Sequence, residues 1–341
     1  MNKNAPGRPA AVPPAPDTDA AIAALPADTR DLARDVLAGL SGSPKFLPCK
    51  YFYDAEGSRL FQQIMRLPEY YPTRTENAML RHRADELVAE LAPAGCPVEL
   101  FELGSGDGRK TLALCRAMVA AGCDLVYRPM DISAHALAAL SRRFARALPA
   151  LAVQPLCGDY FQTWPIPRAH RRQVALFLGS NLGNYPHDEA LQFLRRVRSH
   201  LRAGDMLLLG LDLKKNPHTV LAAYNDSAGV TAAFNLNLLR RLNRELQMDF
   251  DLAQFRHYPT YSPHDGVARS YLVSERAQVV GSRVLRRSFR FEAGESIYTE
   301  QSQKYDADLI AQLAQGSGFE SSASLVDPAF PYALVAWRVP G

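Results

Sequence analysis

The stretch VELFELGSGDGRKTLAL, residues 98–114, decides how the chain around it folds. A mostly apolar run ends in three glycines spaced one apart, and an apolar helical pattern follows at once. That is a strand, a tight turn and a helix, the place where open α/β sheets hold nucleotides. Three loop templates compete for it. A Walker-type phosphate loop needs Gly, four residues, then Gly-Lys-Ser/Thr, but the fifth position after Gly104 is Arg109. The dinucleotide fingerprint G-x-G-x-x-G again meets Arg109 where its third glycine belongs. The third template is an acidic residue, an apolar residue, then G-x-G-x-G. Glu102, Leu103, Gly104, Gly106 and Gly108 match it throughout, and it suits S-adenosyl-L-methionine. With no pyrophosphate to cradle, no close-packed third glycine is required. The glycines serve to let backbone approach a ribose and an amino-acid tail.

Outward from the loop, strands and helices alternate. DLVYRPMD (124–131) reads as a strand, and SAHALAALSRRFARAL as a helix that Ser133 is placed to cap. LAVQPLCGDY holds a third strand, QVALFLGS (173–180) a fourth and DMLLLGLDL (205–213) a fifth, with a helix in DEALQFLRRVRSHL. One helix is expected before the loop, Glu76 to Leu91. This rhythm predicts an α/β fold, a Rossmann-like doubly wound sheet covered by helices on both faces, and the loop with acidic residues after the next two strands makes it a class I methyltransferase sheet. Ligands then sit beyond the carboxyl ends of the strands. Asp131 is placed to accept from ribose hydroxyls and Asp159 from an adenine amino group. Tyr160 is placed against the ring, and Lys110 to pair with the methionine carboxylate.

The rhythm breaks near Lys214. Residues 218–250 read helical, and 267–300 read as short strands (VARSYLVS, RSFRFE, SIYTE). A last helix (Ala307–Ala314) and two strands, FESSASLV and YALVAWRV, with an antiparallel connection, end the pattern. A second, mixed α+β lobe is expected from 19–78 plus 214–303, binding the substrate. The cofactor domain would take 79–213 plus 304–341, and residues 1–18, rich in Pro and Ala, a disordered tail. The segment 43–74 is dense in aromatics, which give pockets contact area at little entropic cost.

The 341 residues are 47% apolar and 22% charged, with a formal charge of +4, so a sizeable core and an ordinary soluble surface are expected. Arginine pairs recur inside apolar periodic stretches and read as solvated helix faces, not as a nucleic-acid surface. The five cysteines are odd in number and form no C-x-x-C or Cys/His cluster, which argues for free thiols and against a metal. No stretch is apolar and long enough for secretion or a membrane, so cytoplasm is the expected compartment.

The blocks PKFLPCKYFYDAEGSRLFQQIMRLPEYYPTR, ELGSGDGRKT, FLGSNLGNY, AYNDSAGVTAAFN, NRELQMDFD and YTEQSQKY together resemble one family. It is the histidine-specific Nα-methyltransferases of ergothioneine biosynthesis, whose fungal relatives act on other amino acids. The resemblance covers nearly the whole chain from about residue 40. It implies three successive methyl transfers from S-adenosylmethionine to the α-amine of L-histidine, giving the betaine hercynine, by an enzyme that acts as a monomer. Carried residue by residue, it puts Gly104, Lys110, Asp131, Asp159 and Tyr160 on the cofactor. Tyr70, Gly179, Asn184, Tyr224, Glu300 and Ser302 fall on the amino acid, and Tyr53 beside the reacting amine.

Those residue types suit the chemistry. Asn184 and Tyr224 are neutral donors for a carboxylate whose substrate ends as a permanent cation. Glu300 and Ser302, two apart on an expected strand, share a face and can accept from and donate to an imidazole. The amine, with a pKa near 8 to 9, is partly neutral at physiological pH. Positioning therefore supplies most of the acceleration, with Tyr53, Tyr70 or water taking the proton. One departure stands out: where the resemblance implies a methionine lining the imidazole pocket, this chain has Ser270. The rivals are an α-N-methyltransferase for tryptophan or another aromatic amino acid, a non-catalytic adenosylmethionine-binding regulator, and an NAD-dependent oxidoreductase.

Overall fold

The computed structural model describes residues 16–93, 96–160, 163–164 and 170–341. The expected disordered tail lies outside the described residues up to position 15, and Pro16 to Ala23 form a helix. In chain order the strands are β1 (Lys45–Phe46), β2 (Val98–Leu103), β3 (Leu125–Asp131), β4 (Ala152–Val153), β5 (Leu156–Cys157), β6 (Arg172–Phe177) and β7 (Met206–Asp212). There follow β8 (Phe255–Ser262), β9 (Val267–Ser274), β10 (Gln278–Ser282), β11 (Arg287–Phe291), β12 (Ser296–Gln303), β13 (Glu320–Val326) and β14 (Tyr332–Arg338).

The chain divides into two compact units, 1–70 with 216–301, and 71–215 with 302–341. The first unit ends at Tyr70, ahead of the boundary expected at 78, because the helix Tyr71–His82 packs on its neighbours Ala84–Leu91 and Thr111–Ala120 and on β14.

The second unit is built on one sheet of order β13-β14-β7-β6-β2-β3-β4, with β5 also on β3. β2, β3, β6 and β7 run parallel; β14 and β13 return antiparallel. Every residue of β2 and β7 is buried, as both faces of a parallel sheet demand. Val98 and Leu100 point into one core with Leu87, Leu114 and Phe144, and Phe101 and Leu103 into another with Phe193, Leu194 and Leu313. Strand order reverses at β2, whose neighbours β3 and β6 lie on opposite sides. The carboxyl ends of β2 and β6 therefore flank the switch point, and Gly104 and Gly179 stand just past them.

Three local expectations need correction. The helix expected over 76–91 is two helices broken at Arg83. The third strand is two dipeptides, β4 and β5, separated by Gln154-Pro155. The helical stretch 218–250 splits into Pro217–Ala223 and Val230–Glu245, since Asp226 caps the second helix, accepting from Val230 N at 2.8 Å and Thr231 N at 2.7 Å.

The first unit has a four-stranded sheet of order β1-β12-β9-β8 and a β10–β11 hairpin. Leu32, Val36, Phe52, Leu238, Leu242, Phe255, Leu272 and Ile297 share its core. β8 was not anticipated because Pro259 interrupts its pattern; it is the edge strand, where a missing N–H is tolerated. All five cysteines are free thiols. Among the described residues no helix is long and apolar enough to cross a membrane.

Candidate active site

The glycine loop of the second unit has the backbone that only glycine adopts cheaply. Gly104, Gly106 and Gly108 have φ of 71°, 55° and 69°. A Cβ at Gly106 would meet no atom within 4 Å, so that face of the loop is open. Gly108 differs. A Cβ there would stand 2.6 Å from Leu140 Cγ and 2.9 Å from Phe144 Cε2. The third glycine is thus close-packed after all, against the helix Ala134–Ala147, and its role is steric rather than ligand-facing.

Asp131, at the end of β3, accepts from Gly106 N at 2.8 Å through Oδ2 and from Ser133 N at 2.8 Å through Oδ1. Each oxygen keeps a second lone pair for a ligand hydroxyl. Ser133 caps the next helix as expected, accepting from Ala136 N at 3.2 Å. Glu102 faces away from the loop. It is buried, accepting from Thr111 Oγ1 at 2.7 Å and from the Tyr127 hydroxyl. Burial pushes its carboxyl up to about 7, against the pull of those two hydrogen bonds. The motif's acidic residue therefore ties the loop to the sheet. Asp159 and Tyr160 are half-buried after β5; the Tyr160 hydroxyl lies 3.1 Å from that of Tyr185, and its ring meets Phe177 edge-on at 5.8 Å. A Cβ on Gly104 would lie 3.9 Å from Tyr160 Cε1, so the tyrosine borders the glycine loop.

Lys110 stands beside Gly179, 3.0 Å from where that glycine's Cβ would be. Its ammonium pairs with Glu76 Oε2 at 2.6 Å. Glu76 is fully buried, and its other oxygen accepts from Gly179 N at 2.7 Å and from the Tyr332 hydroxyl at 2.6 Å. One carboxylate thus holds the lysine and the loop after β6. Gly210 is glycine because a Cβ would come within 2.0 Å of Glu76 Oε1. The resemblance did not supply Glu76. The only sequence signal was a carboxylate in the buried stripe Thr75, Glu76, Met79, Leu80.

The loop after β6 turns through two left-handed residues, Gly179 and Ser180, into a 3-10 turn Asn181–Asn184. Asn184 is half-buried there. Gly183 presses on the backbone of Gln303, 2.8 Å from its carbonyl oxygen to a notional Cβ, which sets the turn against the segment carrying Ser302. Ser302 Oγ accepts from Lys304 Nζ at 2.7 Å. Lys304 and Asp212 are fully buried and pair at 2.9 Å. Tyr71 donates to the same Asp212 at 2.7 Å, and Lys215 pairs with its other oxygen. The backbone N–H of Asp212 donates to Ser180 Oγ at 3.0 Å, so the end of β7 anchors the Asn184 loop too.

The first unit gathers the predicted tyrosines on one string of rings. Tyr53, 40% exposed, meets Phe61 at 5.6 Å and Phe234 at 5.7 Å; Phe61 meets Tyr70 at 6.2 Å, and Tyr70 meets Tyr224 at 6.5 Å. Three of the four contacts lie within 13° of perpendicular, the favoured edge-to-face arrangement. Glu300 is half-buried on β12. Ser270, on β9, is buried with its hydroxyl 3.4 Å from His257 Nε2, and its carbonyl accepts from Thr299 Oγ1 at 3.0 Å.

Burial pushes the His257 imidazole down from 6.5 to about 4, so the ring is neutral in the fold. Between those values the unfolded chain binds a proton that the folded chain does not. The resulting stability is fully present above pH 6.5 and is lost as pH falls through 4. It amounts to about 3 kcal/mol. His257→Gln is expected to flatten the rise of Tm with pH across that window; an unchanged slope contradicts neutral burial.

The histidine-specific, S-adenosylmethionine-dependent methyltransferase family matches residues 32–339. A histidine N-alpha-methyltransferase of Mycolicibacterium smegmatis is 42% identical over 89% of this chain and 93% of its own. That of Mycobacterium tuberculosis is 38% identical over the same shares. Ergothioneine biosynthesis protein 1 of Schizosaccharomyces pombe is 28% identical over 80% of this chain and 36% of its own. The chain belongs to the histidine-specific, S-adenosylmethionine-dependent methyltransferases.

Proposed function

We propose that this enzyme methylates the α-amino group of L-histidine up to three times, giving Nα,Nα,Nα-trimethylhistidine on the way to ergothioneine. The observation that carries the reading is the 42% identity across 93% of a histidine N-alpha-methyltransferase. A cytoplasmic monomer acting on a free amino acid, with no nucleic-acid or membrane partner, is part of the same proposal.

The glycine loop fits S-adenosylmethionine: its open face at Gly106 and the spare lone pairs of Asp131 suit a ribose. When bound, the cofactor supplies an electrophilic methyl carbon. Lys110, steered by Glu76, would take the methionine carboxylate; Asp159 and Tyr160 would take the adenine. Asn184 and Tyr224 donate to the histidine carboxylate, with Gly179 close to it. Glu300 and Ser302 read the imidazole. Tyr53, Tyr70 or water receives the amine proton, and orientation of the amine contributes most of the acceleration.

Ser270 bears on substrate choice. A hydroxyl against the neutral ring of His257 makes a polar wall where the resemblance implies methionine. Glu300 and Ser302 suit an imidazole or another hydrogen-bonding heterocycle. Assay with labelled S-adenosylmethionine across the common amino acids tests this: histidine is expected to lead, and preference for tryptophan rejects the reading. Glu300→Ala is expected to raise KM for histidine about tenfold while leaving S-adenosylhomocysteine affinity intact. Equal loss of both would make Glu300 a structural residue.

A further inference from the structure

Lys304 is a lysine with no access to solvent, and such a group must be satisfied by protein. Its ammonium lies 2.9 Å from Asp212 Oδ2 and 2.7 Å from Ser302 Oγ. Asp212 also neutralises Lys215 and accepts from Tyr71. The pair Lys304–Asp212 is therefore fixed from several sides, and the ammonium is held still.

An ammonium only donates, so Ser302 Oγ is the acceptor of that bond. The hydroxyl proton must point elsewhere, and the adjacent cation polarises it into a better donor and a poorer acceptor. We infer that Lys304 is a positioning residue that sets Ser302 to donate to an unprotonated ring nitrogen of the substrate side chain. This rests on the reading of Ser302 as a side-chain contact. A carboxylate such as that of Glu300 only accepts. The two together would read a neutral imidazole as N–H at one end and lone pair at the other, selecting one tautomer. A side chain that offers no acceptor to Ser302 would leave that donor unpaired, which is the costly outcome.

The test is a double-mutant cycle on the full-length enzyme with saturating S-adenosylmethionine. Lys304→Met keeps most of the side-chain volume, and Asp212 keeps Lys215 and Tyr71 as partners, so the variant is expected to fold. Ser302→Ala is expected to raise KM for L-histidine about tenfold and Lys304→Met about fivefold, with kcat and S-adenosylhomocysteine affinity within about twofold of the parent. The double variant should be no worse than Ser302→Ala alone. An unchanged KM in Lys304→Met, or a Lys304→Met effect that multiplies in full with that of Ser302→Ala, overturns the inference while leaving the role of Ser302 standing. An unchanged KM in Ser302→Ala instead removes Ser302 from the substrate, and the inference falls with it. If Lys304→Met does not fold, Lys304→Gln takes its place. Its amide still donates, so KM should lie between parent and Ser302→Ala, and again a fully multiplicative effect overturns the inference.

Discussion

Glu76→Ala is expected to destabilise the protein by about 3–5 kcal/mol and to weaken cofactor binding in whatever fraction remains folded. The size follows from what the carboxylate holds. Gly179 N and the Tyr332 hydroxyl would each lose this acceptor, and Lys110 would lose its counter-charge. Lys110 is partly exposed and can recover water, so most of the cost falls on the two lost hydrogen bonds. Glu76→Gln separates the two effects. Its amide oxygen can still accept from Gly179 and Tyr332, so stability should fall by only about 1 kcal/mol. Its amide nitrogen faces Lys110 and repels it, so S-adenosylhomocysteine affinity should still drop about tenfold. Gly210→Ala should mimic Glu76→Ala, since the added methyl lands on the Glu76 carboxylate. Urea unfolding and calorimetric titration read the two quantities; a Glu76→Ala protein as stable as the parent would show that the network is dispensable.

Asp131→Ala should do the reverse, sparing the fold and removing the cofactor. Asp131 caps no core element; its carboxylate arranges the loop by accepting from Gly106 N and Ser133 N. Without it the left-handed turn at Gly106 loses its tether, and the ribose loses the acceptor proposed for it. Affinity for S-adenosylhomocysteine is expected to fall about a hundredfold, with unfolding free energy within about 1 kcal/mol of the parent. Asp131→Asn, which keeps one acceptor oxygen, should fall between. Affinity within threefold of the parent in Asp131→Ala would place the ribose elsewhere.

How much of this was legible in the chain differs by kind of feature. The parallel sheet was, because β2, β6 and β7 are short, mostly apolar runs divided by helices of ordinary length. The glycine loop and its acidic partner were legible because the turn needs residues at positive φ in fixed spacing. The purpose of Gly108 was not, since its neighbours Leu140 and Phe144 come from a helix that no local pattern ties to the loop. β8 was hidden by Pro259, which is admissible only because the strand is at an edge. Most of all, the anchoring carboxylates escaped notice. Glu76 meets Lys110 and Gly179, and Asp212 meets Tyr71 and Lys304, through contacts far apart in sequence. A charged residue in an apolar run reveals that it is buried, but not which partner compensates it.

The methyl groups go to the amine, not to the ring, of histidine. Incubation of the enzyme with L-histidine and S-adenosylmethionine carrying labelled methyl groups, followed by mass spectrometry with fragmentation, tests it most directly. The expected product bears up to three labelled methyls, all on the α-nitrogen, with the imidazole unlabelled. Label on the imidazole, or no labelled histidine while another amino acid is methylated, would contradict it.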